Sequence, residues 1–164
     1  MSDGAGTEVT VAEMLRRIAA GRGELDTVFE NASPPAGDAW SVKDHMAHIA
    51  CWEHSAVALL NGEDRYAHAG VRKGEHATLD TDGINQRIHA MYRDASPGDV
   101  RRYYDQVHAD LVARIRSMSD EDLQRPYSHY QPGDPPYNAQ PVIGWIVGNT
   151  FEHYAEHANI LRPG

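Results

Sequence analysis

Apolar positions recur along this chain at the three- and four-residue steps of amphipathic helices, and no stretch shows the two-residue alternation of a half-buried strand. Val100, Tyr104, Val107, Leu111, Ile115 and Met118 form the clearest stripe. It is opened by Ser96-Pro97-Gly98-Asp99, a hydroxyl N-cap with proline at the first helical position and a carboxylate three residues on. Thr10-Val11-Ala12-Glu13 has the same capping-box form, and Val11, Met14, Leu15, Ile18, Leu25, Val28 and Phe29 carry a first helix to about Glu30. Gly21 and Gly23 weaken its middle and suggest a kink. Ser41-Val42-Lys43-Asp44 opens a second helix that stops at Asn61-Gly62. Ile84, Ile88, Met91 and Tyr92 make a short helix, and a last one starts near Val142 and ends before Pro163.

The segments between read differently. Residues 63–80 are charged and aperiodic, which predicts a long surface connection. Residues 125–141 hold five prolines with Tyr127, Tyr130 and Tyr137, a density that predicts neither helix nor central strand. Four principal helices with one short extra helix and long connections predict an all-α four-helix bundle. Residues 1–9 are expected to be a loose tail and residues 10–164 a single helical domain.

Charge and composition narrow the partners. The formal net charge of −9, with no run of Lys or Arg, argues against nucleic acid and anionic membrane. No apolar run approaches a membrane span, the first residues lack the basic and apolar regions of a signal peptide, and Cys51 has no second cysteine to pair with. A cytoplasmic location follows as an expectation. The ten histidines are the compositional oddity.

Two of them carry a candidate chemistry. On the last helix His153 and His157 lie one turn apart on one face, with Asn149 and Trp145 continuing that line. Paired imidazoles at this spacing can hold one metal ion from one side; surface histidines at this spacing are the plain alternative. On the second helix His45 and His48 share a side with Val42 and Ile49, so at least one of them faces the core. Three imidazole ligands leave a coordination position open, as catalytic zinc sites do.

Trp40-Ser-Val-Lys-Asp-x-x-x-His48-Ile, together with Asn149-Thr150-x-x-His153-x-x-x-His157, resembles the DinB superfamily, a group of metal-binding four-helix bundles that includes thiol-dependent transferases and the mycothiol-dependent maleylpyruvate isomerase fold. Ile84-Asn85, Tyr92-Arg93-Asp94 and Ser96-Pro97-Gly98-Asp99-Val100 are similar to its ClbS/DfsB-like branch, which includes a self-protection protein that hydrolyses a cyclopropane warhead. The resemblance implies zinc or nickel held by His48, His153 and His157. That branch does not uniformly keep three histidines, so metal chemistry is better supported here than the branch's particular hydrolysis.

Around such a triad, His45 competes with His48 as ligand, and Cys51 is either a small buried hydrophobe or a neighbour of the metal. Asn149 and Glu53 are candidates for orienting the ligand histidines. Trp52 and Trp145 either pack in the core or wall a pocket, and the three tyrosines either cover it or pin their loop. Glu152 and Glu156 point away from the His153/His157 line. His68, His76, His89, His108 and His129 receive no role. The expected function is a metal-dependent enzyme in which water or a low-molecular-weight thiol such as mycothiol opens an electrophilic metabolite, in self-resistance or biosynthesis. The competing expectation is a protein that sequesters a reactive small molecule without turnover. A small-molecule substrate is the expected partner, and a homodimer is left open.

Overall fold

The computed structural model describes residues 9–71, 79–134 and 139–162. Residues 1–8 of the expected N-terminal tail, His76 and Tyr137 lie outside the described residues, while Val9 is partly buried against the core. The helices are α1 (Val11–Asn31), α2 (Val42–Leu60), α3 (Thr81–Tyr92), α4 (Pro97–Arg116), α5 (Asp120–Gln124), α6 (Tyr127–Tyr130), α7 (Ile143–Asn149) and α8 (Phe151–Leu161). Among the described residues there is no strand, only an isolated antiparallel bridge between Pro126 and Pro141. None of the described helices is long and apolar enough to cross a membrane.

The most extensive packing joins α2 to α4 and α1 to α8, while α1 also touches α4 and α2 touches α7 and α8. The helices consecutive in sequence, α1 and α2, therefore sit across the bundle from each other, and the fold is not a simple up-and-down array. The core takes Met14, Ile18, Leu25 and Phe29 of α1, Ile49 of α2 and Val100, Tyr104, Leu111 and Ile115 of α4 from the expected stripes, and adds Leu59 of α2, Ile146 of α7 and Tyr154 of α8.

Helix α1 runs unbroken through Gly21. A Cβ there would stand 3.1 Å from that of Phe151 and 3.2 Å from the Tyr154 ring. The glycine serves close approach of α1 and α8. Only Ser41–Asp44 completes the reciprocal capping box among the three predicted ones. Glu13 turns instead to Arg16 and Arg17, and Asp99 to Arg102, leaving Thr10 and Ser96 as one-sided caps.

Three expectations are corrected. The connection after α2 is not merely surface: it forms a 3-10 turn at Ala67–Ala69, and Ala69 and Val71 are buried with Cys51, Ile84 and Ile88. The proline-rich stretch holds one helical turn, α6, because Tyr127 and Tyr130 bury their rings in the core while Tyr127 N–H bonds to Gln140 O at 2.7 Å. These tyrosines pin their loop. The last helix is interrupted at Thr150, where ψ is −114°. Thr150 Oγ1 donates to Ile146 O at 2.7 Å and Asn149 Nδ2 to Trp145 O at 2.7 Å, so two adjacent side chains bond back onto carbonyls one turn earlier, a pattern that bends helices.

Candidate metal centre

Helices α2 and α8 face each other across four histidines. His48 Nε2 lies 3.0 Å from His153 Nε2, which lies 3.1 Å from His157 Nε2. The ligand-capable nitrogens of the three all fall within 4.8 Å of one another. Each ring is at most 9% exposed. The predicted triad is thus brought together from residues 105 positions apart in the chain.

Burial pushes all three imidazoles toward the neutral form: His48 down to about 2, with repulsion from the other histidines adding to it, His153 to about 4 and His157 to about 3. They carry free lone pairs at neutral pH. An imidazole nitrogen has one in-plane lone pair or one proton, so His153 Nε2 cannot serve both neighbouring nitrogens well by hydrogen bonding alone. Nitrogens bound at about 2.0–2.1 Å to one tetrahedral ion lie roughly 3.3 Å apart, close to the 3.0 and 3.1 Å that separate His153 Nε2 from its two neighbours. Three buried histidines so arranged can bind a metal.

Above them opens a cavity of about 890 Å³ walled by Trp40, Trp52, Asn85, Asn149 and the histidines themselves. Trp52 packs 6.3 Å from His48 between ring centroids, and its Nε1 donates to Asn85 Oδ1 at 2.9 Å. Trp40 stacks on His89 at 5.4 Å and meets His45 and His48 at 5.5 and 5.2 Å. Glu156 is exposed, as expected, but lines the cavity edge.

The remaining candidates fall elsewhere. Trp145 packs on Tyr127 with centroids 4.7 Å apart and lines a second cavity of about 800 Å³, on the far side of Trp52 and Asn149. Asn149 lines the histidine cavity, but its amide is committed to Trp145 O and does not orient a ligand ring. Cys51 is buried in the small α2–α3 cluster, its thiol pushed up to about 11 by burial.

Glu53 is neither solvated nor near the triad. It is fully buried, with Arg22 Nη1 at 3.4 Å, His108 Nδ1 at 3.0 Å and a short hydrogen bond from Tyr154 Oη. Arg22 also donates to Tyr104 O at 3.1 Å and lies over the Tyr104 ring. Sequence reasoning missed this network and assigned His108 nothing. It also missed Trp40 as a wall, although Trp40 stands in the motif.

The fold is shared with solved structures at low identity. A Streptococcus pneumoniae protein superposes with a TM-score of 0.70 at 15% identity, covering 93% of this chain and 88% of that one. An uncharacterised Escherichia coli UTI89 protein gives 0.66 at 21%, covering 94% and 91%. The colibactin self-resistance protein ClbS, solved with double-stranded DNA, gives 0.66 at 19%, covering 95% of each chain. The DNA in that complex bears against reading a net charge of −9 as excluding nucleic acid. No curated protein matches the sequence. The sequence model of the DinB superfamily matches residues 17–158, nearly the whole described bundle, and the chain belongs to that superfamily.

Proposed function

We propose that the protein is a metal-dependent enzyme acting on an electrophilic small molecule, with His48, His153 and His157 as metal ligands. The convergence of three neutral, buried imidazole nitrogens on the floor of an open cavity carries this reading. A divalent ion there, zinc or nickel, would supply Lewis acidity that makes water or a thiol nucleophilic at neutral pH. The chain's own contribution is to hold the three rings uncharged, by burial, and to leave one side of the cluster open. Trp40 and Trp52 offer flat apolar walls that would orient the substrate beside the cluster and exclude bulk water.

The substrate class is an epoxide, cyclopropane or activated alkene, opened by water or by a low-molecular-weight thiol such as mycothiol. The resemblance of the fold to a colibactin self-resistance protein supports a role in disarming a reactive metabolite. The apolar walls also suit a second reading, capture without turnover.

Metal-loaded protein incubated with a panel of such electrophiles, with and without thiol, separates the two. Product in many-fold excess over protein, abolished in His153→Ala, supports the enzyme. Consumption that stops at one equivalent per chain supports capture and overturns it.

A further inference from the structure

We infer that His45 is a positioning residue for the metal centre, holding His157 in the ring orientation and tautomer a ligand needs; this rests on the metal reading above. His45 occupies one of the unspecified positions of the Trp40–His48 motif, so its presence does not follow from the family pattern.

The geometry is specific. His157 turns Nε2 toward His153 at 3.1 Å and Nδ1 toward His45 Nδ1 at 2.7 Å. If Nε2 of His157 lends its lone pair to an ion, the ring proton sits on Nδ1, and His45 Nδ1 is the acceptor it meets. The two rings stand nearly perpendicular, at 80° with centroids 5.0 Å apart, and His45 is itself packed edge-on against Trp40. His45 is 3% exposed, so its ring does not swing freely.

The other two ligands lack this support. Nδ1 of His48 and Nδ1 of His153 are buried with no hydrogen-bond partner among the described residues. Orientation of the triad through a second ring nitrogen therefore rests on His45. A neutral imidazole in this place, where a carboxylate would add negative charge, also leaves the ion's charge undiminished.

The test compares cobalt(II) affinity and the cobalt visible absorption spectrum in wild type, His45→Phe and His45→Asn. Phe fills the space without an acceptor; Asn restores an oxygen near the position of Nδ1. Expected is a loss of affinity of about 10- to 100-fold in His45→Phe with an altered spectrum, and recovery of most of both in His45→Asn. His45→Phe binding as tightly as wild type, or His45→Asn binding as weakly as His45→Phe, overturns the inference alone. A wild type that takes up no cobalt overturns the metal reading and the inference with it.

Discussion

His153 and Tyr154, adjacent on α8, feed two buried polar clusters of opposite character. Tyr154 reaches Glu53, where a carboxylate, a guanidinium, a phenol and an imidazole from α1, α2, α4 and α8 bond to one another and only Arg22 Nε lacks a hydrogen-bond partner among the described residues. His153 reaches His48 and His157, where only imidazoles meet, two ring nitrogens have no partner among the described residues, and a large cavity opens. Burying polar groups is costly in both places, and the first offsets most of the cost internally by pairing opposite charges. A closed cluster of complementary groups ties helices together. A cluster of like donors left open asks for something the chain does not supply.

The comparison breaks first at Glu53. Glu53→Ala removes the one fully buried carboxylate facing Arg22, which keeps only the more exposed Asp26 and Asp105, and a loss of about 3–5 kcal/mol in urea denaturation is expected. His48→Ala in metal-free protein should cost much less, because it removes a neutral ring whose Nδ1 is buried without a hydrogen-bond partner among the described residues. Equal losses would make the two clusters the same kind of feature.

Zinc sharpens the contrast from the other side. At about 100 times its dissociation constant it should raise wild-type stability by about 2.7 kcal/mol, read as a thermal shift, with no such gain in His157→Ala. Glu53→Gln should keep the gain even if its baseline is lower.

His68 provides a smaller, intermediate case: a half-buried histidine that does have an acceptor, Cys51 O at 2.8 Å, and that stacks on His54. Burial lowers it from 6.5 to about 4. The unfolded chain therefore binds the proton first, and the stability held above about pH 6.5 is lost as pH falls toward 4. The stability advantage of wild type over His68→Gln should narrow across that window.

The sequence made one of the two clusters visible. His153 and His157 share a helical face by spacing alone, and Val100, Tyr104, Val107, Leu111 and Ile115 map onto the buried face of α4, with Met118 buried just past its end. His45 and His48, three apart on α2, both turn inward, so spacing could not divide ligand from support. Glu53 reads in the sequence as a candidate for orienting a ligand histidine and Arg22 carries no signal, because their pairing across 31 residues depends on how α1 and α2 sit across the bundle. The break at Thr150 was hidden because an apolar pattern continues through it; the hydroxyl's bond to Ile146 O is a local competition that periodicity does not register.

Elemental analysis of protein purified without chelator or a competing tag, as wild type, His48→Ala, His153→Ala and Glu53→Gln, tests the central distinction most directly. The account predicts about one zinc or nickel per chain in wild type and Glu53→Gln, and loss in both histidine variants. A metal-free wild type, or metal retained in the histidine variants, would contradict it.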